Sequence, residues 1–416
     1  MDNLQQRQTH IPSLLASILF ALSGLFLLGI SLFMGFAALM AMFSAKPVQA
    51  GQTIFLVAFG FEAVLLFAAA FFAVQKTLEK PSADQRSFLS VSRLQILVGM
   101  LVAAGAILIG SLVGGIETVD WLLLPILTVL AVALPLGAFL GLGTQKLPMG
   151  TRWQTWSVLG LSMTLAPLLL LTLEAILGVL LFIIVTAYLV LQPELAAELQ
   201  ALARQITILG PQSEAALDLL SPYLTKPGVV LTALLYIAVL VPAVEELVKP
   251  LGVWLLARRL DSTAQGFTLG ALSGAGYALI ETVGVSGQQA EWGILLFSRI
   301  GTGLLHITTS ALMGAAIVLA WRERQFLRLL GTYLLAVLLH GLWNACAMLY
   351  TFSTLAELLD QAGQLGMLQV PLIVMMASLA VTFLVILSLS NRRLTRIASL
   401  SVPESTLPPE SMDQSP

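Results

Sequence analysis

Residues 229–257 read VVLTALLYIAVLVPAVEELVKPLGVWLLA, and only Glu245, Glu246 and Lys249 among them carry charge. A membrane-crossing helix needs about 20 mostly apolar residues, which this stretch exceeds. With no water to satisfy backbone polar groups in hydrocarbon, such a stretch reads as helix. Ionisable side chains at the middle of a span are costly to bury and point to function. Lys249 follows Glu245 by four residues and Glu246 by three, so all three share a helix face. Pro242 and Pro250 bracket the group and loosen the backbone around it. Two adjacent carboxylates in low dielectric do not both ionise easily, and a nearby ammonium can hold one charged. That arrangement suits a general base. A charge-neutralised pair locking two helices is the plainer alternative; Glu-Glu-x-x-Lys at mid-membrane favours function.

Outward from this stretch the apolar pattern recurs. Spans are expected near 11–43, 50–74, 94–116, 121–143, 155–191, 229–257, 266–287, 294–320, 326–351 and 367–390. The first and fifth are longer than one crossing requires, so they tilt, break or run on as exposed helix. The 416 residues are 58% hydrophobic and 10% charged, against roughly 45–50% and about 25% in soluble proteins. This excludes a soluble enzyme and a disordered chain. A net charge of −2 with no basic face excludes nucleic acid as a partner. The single cysteine, Cys346, excludes an internal disulfide framework and a cysteine-based zinc cluster. The fold class is therefore all-α, a polytopic transmembrane helical bundle of about ten spans.

Basic residues set the orientation. With both termini cytoplasmic, 15 of the 20 Lys and Arg fall in inner segments, three (Lys46, Arg204 and Lys226) in outer ones, and Lys249 and Arg299 within spans. Val48-Gln49-Ala50 loosely resembles a signal cleavage site, but the apolar stretch before it is far longer than an h-region of roughly 7–15 residues, so the first span reads as a retained anchor. Four parts are expected: 1–227, five spans and an outer loop with an amphipathic helix at 193–199; 228–351, four spans; 352–398, a last span; and 399–416, a disordered cytoplasmic tail.

Nearly all intramembrane polar residues fall in 228–351. On the seventh span Gly270, Gly274 and Tyr277 share a face with Glu281. The glycines admit a neighbouring helix closely, which does not account for Glu281. On the eighth, Arg299, Gly303, His306 and Ser310 share a face; on the ninth, His340 and Asn344 are four apart. At 1.5 Å per residue Glu245 lies about 18 Å from the cytoplasmic end of its helix, while His306, His340 and Glu281 lie about 18, 15 and 9 Å from the outer ends of theirs. These depths are compatible with one site. Glu62 and Glu174, in the first part, read as residues that satisfy helix contacts.

These residues resemble the PrsW family of intramembrane proteases, related to the CAAX prenyl endopeptidases and bacteriocin-processing proteins. The family pattern is Glu-Glu-x-x-Lys, Phe-x-x-x-Glu, a His-bearing helix and His-x-x-x-Asn/Asp. The matches are Glu245-Glu246-Leu247-Val248-Lys249, Tyr277-Ala278-Leu279-Ile280-Glu281, His306 and His340-Gly341-Leu342-Trp343-Asn344, with Tyr277 in place of Phe. The match covers 229–351 and leaves the first five spans unexplained. It implies a CAAX-protease-like helix core and peptide-bond hydrolysis in or near the bilayer. Glu245 or Glu246 would activate water, His306 would assist, and His340 and Asn344 would stabilise the oxyanion. Lys249, Tyr277, Glu281 and Arg299 would support the site. The resemblance requires no cofactor in its glutamate-type form; a divalent metal such as zinc, held by Glu245, His306 and His340, is the other form. It implies a membrane-associated protein substrate, an anti-sigma-factor-like protein being one candidate, and a bacterial plasma membrane.

Other chemistries fit less well. A His-Glu-x-x-His motif is absent, and all seven aspartates fall outside the expected spans. A Ser273–His306 pair lacks the Gly-x-Ser-Gly context and leaves the carboxylates idle. A proton- or cation-coupled transporter would use the same residue types, but paired broken helices in two halves are missing. A non-catalytic scaffold that keeps the protease fold is the third reading.

Overall fold

The computed structural model describes residues 10–400 apart from 88, 90, 211–212, 225, 288–291 and 359–365. The tail expected at 399–416 lies outside the described residues from position 401 onward. The described chain is helical: α1 Ile11–Phe43, α2 Ala50–Thr77, α3 Arg93–Val113, α4 Asp120–Thr144, α5 Arg152–Met163, α6 Leu165–Val190, α7 Pro193–Leu209 and α8 Glu214–Leu224. There follow α9 Pro227–Leu235, a π-turn Tyr236–Leu240, α10 Val241–Val248, α11 Leu251–Leu256, α12 Thr263–Ser286, α13 Trp292–Glu323, α14 Phe326–Leu358 and α15 Gln369–Leu400. Among the described residues the only β-type pairing is an isolated bridge between Arg86 and Thr151.

Among the described residues nine stretches are long and apolar enough to cross a membrane, Arg152–Val190 and Pro227–Arg259 each counting as one. The expected seventh span, α12, forms a helix but is not among the nine. Its residues from Ala264 to Leu279 are all buried. A helix enclosed by protein needs no lipid-facing apolar surface, so glycine, serine and threonine replace leucine along it. The long fifth span breaks at Thr164, between α5 and α6. Pro167 has no N–H to offer the Met163 carbonyl, which ends the first helix there.

The connections expected on one side of the membrane meet at one end of the bundle. Arg259 reaches His10 Nε2 at 3.2 Å, Arg322 donates to the Leu260 carbonyl at 2.8 Å, and Asn391 Nδ2 donates to the Gly143 and Gln145 carbonyls at 2.8 and 3.0 Å. Partial burial, then Arg259 and Lys76, hold the His10 imidazole below its ordinary pKa.

Helix α13 is the hub. In its most apolar stretch 83% of residues are buried, against 6% for Arg152–Val190 and for Pro227–Arg259. It packs along α12 through the small residues marked by the sequence. A Cβ on Gly270 would collide with the Ser310 carbonyl oxygen, and one on Gly274 with that of His306. The close approach is what brings α12 and α13 into register at His306. Backbone cannot swing aside as a side chain can, so Gly274→Ala is expected to lower stability by about 1–3 kcal/mol. Thermal unfolding in detergent measures it; an unchanged midpoint would contradict the close packing.

Candidate active site

The backbone around the charged cluster is irregular on both sides. The π-turn ends just before Pro242, whose missing N–H disrupts the preceding helical ladder. At the other side Pro250 separates α10 from α11, and Ser273 of α12 donates to the Lys249 carbonyl at 2.6 Å. The Ser273 hydroxyl is thus engaged on backbone, and a serine-nucleophile reading loses its nucleophile. Gly341 permits α14 to touch the π-turn, since a Cβ there would strike the Ala238 carbonyl oxygen. Tyr333 donates to the Ala243 carbonyl at 2.8 Å, a second tie between α14 and the cluster-bearing segment.

Four helical segments converge. Lys249 Nζ lies 2.8 Å from Glu245 Oε2, 2.9 Å from Glu246 Oε1, 2.7 Å from His306 Nδ1 and 3.3 Å from His340 Nδ1. His306 and His340 meet edge-to-face with ring centroids 5.2 Å apart. Tyr277 packs on His306 at 5.3 Å, and its ring lies 5.1 Å from Lys249 Nζ. Lys249 and Glu246 are fully enclosed, His306 and His340 nearly so, and Glu245 keeps 8% side-chain exposure. Within this group Glu245 is the member that best meets open space.

The hydrogen-bond network assigns the imidazole protons. His306 Nε2 lies 2.8 Å from Glu281 Oε2, so that nitrogen donates and Nδ1 is the acceptor facing Lys249. His340 Nδ1 lies 2.8 Å from Glu246 Oε1, so Nδ1 donates and Nε2 carries the lone pair, 3.8 Å from Glu245 Oε2. Each ring is held on one nitrogen by a carboxylate and presents the other inward. This is the pairing that orients metal-ligating histidines. Arg299 holds Glu281 at 2.7 Å and bonds Thr282 at 3.2 Å.

Glu245, His306 and His340 offer three ligand atoms that all lie within 4.8 Å of one another. Glu245 Oε2 is buried and, although 2.8 Å from Nζ, has no aligned hydrogen bond. Oxygen and imidazole donors with one such orphaned atom fit a divalent metal of the zinc type. Besides the two imidazoles, Glu245, Glu246 and Glu281 face Lys249 and Arg299 among the described residues, so carboxylates outnumber lysine and arginine in the cluster.

Of the nine residues singled out by sequence, eight gather here. Asn344 lies beyond the Glu–His cluster: it is half-buried, and its Nδ2 donates to the Ile237 carbonyl of the π-turn at 3.1 Å. Asn344→Ala is expected to slacken that tie at a cost of about 1 kcal/mol of stability and, with loss of the amide's second proton, to lower activity by about a hundredfold; parallel activity and unfolding assays check it. Glu174, expected to satisfy helix contacts, lies on α6 against the π-turn that precedes the charged cluster. Its backbone carbonyl accepts from Tyr236 of the π-turn at 3.0 Å. No spacing pattern could pair α6 with the π-turn. Glu62 is remote in the first part, fully buried, with neither carboxylate oxygen partnered among the described residues.

The family model described as PrsW family intramembrane metalloprotease matches residues 166–382, more than half of the chain. No curated protein and no solved structure matches.

Proposed function

Because the chain belongs to the PrsW family of intramembrane metalloproteases and is a membrane-embedded protease, we propose that Glu245, His306 and His340 form its catalytic centre. The observation that carries this reading is the pair of carboxylate-held imidazoles facing Glu245 Oε2. These three residues would hold a divalent metal, which would supply Lewis-acid polarisation of the scissile carbonyl and lower the pKa of a water molecule. Glu245, the least enclosed of the five clustered side chains at 8% exposure, orients a water molecule and takes its proton. As water oxygen bonds to the carbonyl carbon and the C–N bond breaks, the proton passes to the departing amine. Glu246 and Glu281 keep the imidazoles in the required tautomers. Asn344 uses one amide proton on Ile237 and has a second for the developing oxyanion; His340 donates its Nδ1 proton to Glu246, and its Nε2 would be a metal ligand.

Membrane proteins and lipid are the partners of an intramembrane protease. The substrate is proposed to reach the site as a membrane segment. A cleft of about 540 Å³ separates α6 from α9 and the π-turn, lined by Leu177, Leu181, Ile184, Tyr188, Leu235 and Leu240. Its apolar lining suits a lipid-embedded segment, and Leu240 lies five residues before Glu245. An anti-sigma-factor-like protein is one such substrate and a bacterial plasma membrane the setting that the family resemblance implies, with both termini cytoplasmic as the distribution of basic residues supports.

The test is purified full-length protein in lipid vesicles with a single-span substrate. Cleavage is expected to stop with a strong chelator and to return with zinc. Cleavage indifferent to both would overturn the metal centre, and no cleavage of any single-span substrate would overturn the substrate assignment.

A further inference from the structure

We propose that Lys249 is a resident placeholder cation which shares its seat with the metal, so that the ammonium and the metal exclude each other. The inference rests on the metal centre proposed above. The positions nearest Nζ are also the inward ligand atoms: Glu245 Oε2 at 2.8 Å and His306 Nδ1 at 2.7 Å, with the His340 ring adjacent. A second cation does not fit among donors already in contact with the first, and two positive charges in a buried site repel strongly.

The lysine is also an imperfect occupant. An ammonium has three N–H groups. Four acceptor-type atoms surround Nζ, but His340 Nδ1 spends its proton on Glu246 and turns no lone pair toward it, and Glu245 Oε2 is unaligned. The ammonium therefore offsets the charge of one of the two carboxylates it touches and leaves Glu245 Oε2 without an aligned hydrogen bond.

It also has somewhere to go. The Tyr277 ring centroid is 5.1 Å from Nζ, within cation–π range. The four-carbon stem lets the head group move while the helix stays in place. Moving toward the Tyr277 ring vacates the space between Glu245 and His306 and keeps the ammonium near both carboxylates. In this arrangement Lys249 is a positioning residue: it holds the ligand set open when no metal is bound.

The experiment measures zinc affinity rather than turnover. Metal-free full-length protein in detergent is titrated with zinc against a chromophoric chelator, for the unmodified chain, Lys249→Met, Lys249→Gln and His306→Ala. Both lysine variants are expected to bind zinc roughly tenfold or more tightly than the unmodified chain, since the internal competitor is gone. His306→Ala is expected to abolish binding. Equal or weaker binding by folded lysine variants, with binding still lost in His306→Ala, overturns the placeholder and leaves the metal centre standing. If zinc binds none of the four proteins, or binds His306→Ala unchanged, the metal centre itself fails. Should both lysine variants fail to fold, structures of the unmodified chain with and without zinc decide. Nζ displaced from its Glu245 and His306 contacts by zinc supports the proposal; Nζ staying in place, or becoming a zinc ligand, overturns it.

Discussion

Glu245→Gln is expected to lower cleavage of a reconstituted single-span substrate by about a thousandfold, the usual weight of a general base. The substitution preserves shape and volume, removes the basic oxygen of the least enclosed side chain among Glu245, Glu246, Lys249, His306 and His340, and weakens one of the three proposed metal ligands. Glu246→Gln is the informative comparison. Its Oε1 accepts from His340 Nδ1 and from Lys249, and a glutamine oxygen can still accept, so its loss should be about 10- to 100-fold, as for other groups that orient a ligand. The ratio separates the two adjacent carboxylates. If Glu246→Gln proved the more damaging, the roles assigned to the pair would have to be exchanged.

The second large effect concerns the imidazole of α13. His306→Ala should abolish both activity and zinc binding, while Glu281→Gln should weaken zinc by about 10- to 100-fold and leave a measurable residual activity. Glu281 touches the centre through His306 Nε2 and is held in turn by Arg299. A charge-neutral glutamine keeps an acceptor oxygen for that bond but gives up the ion pair with Arg299. Zinc affinity and cleavage measured on the same preparations check the ordering. Equal effects of the two substitutions would mean that Glu281 reaches the substrate or the metal directly.

How far the site was legible depends on the kind of relation involved. Glu245, Glu246 and Lys249 are three and four residues apart on one helix, and helical period alone puts them on a face. The glycines at 270 and 274 announced a close helix neighbour by their spacing, and α13 is that neighbour. The depths of His306 and His340 followed from the rise per residue. Relations between helices were not legible. Nothing in the spacing says that Glu281 holds His306 across 25 residues of chain, or that Glu246 holds His340 across 94. Lys249 was read as a residue that tunes its neighbours; its position among all four depends on how α10, α13 and α14 pack. Asn344 shares a face with His340 as its spacing requires, but the π-turn adds a residue to the facing helix and turns the Ile237 carbonyl toward the amide. A single inserted position of that kind leaves no trace in hydropathy. Likewise the break at Thr164 depends on a local proline inside an otherwise continuous apolar run.

Helix α12, enclosed by protein and absent from the stretches apolar enough to cross alone, has a consequence for biosynthesis. Insertion into a bilayer is favoured residue by residue by apolar side chains, and α12 has few large ones to contribute. As the chain emerges, α12 is produced before α13, the helix whose backbone fits its glycines. It should therefore wait, weakly held, and enter the membrane together with α13 as a hairpin. A nascent chain ending after residue 287 is expected to leave α12 accessible to water-soluble thiol reagents at an introduced cysteine, and one ending after residue 323 to protect it. The half of the bundle that carries the proposed catalytic groups would then be committed to its topology only after His306 has been synthesised.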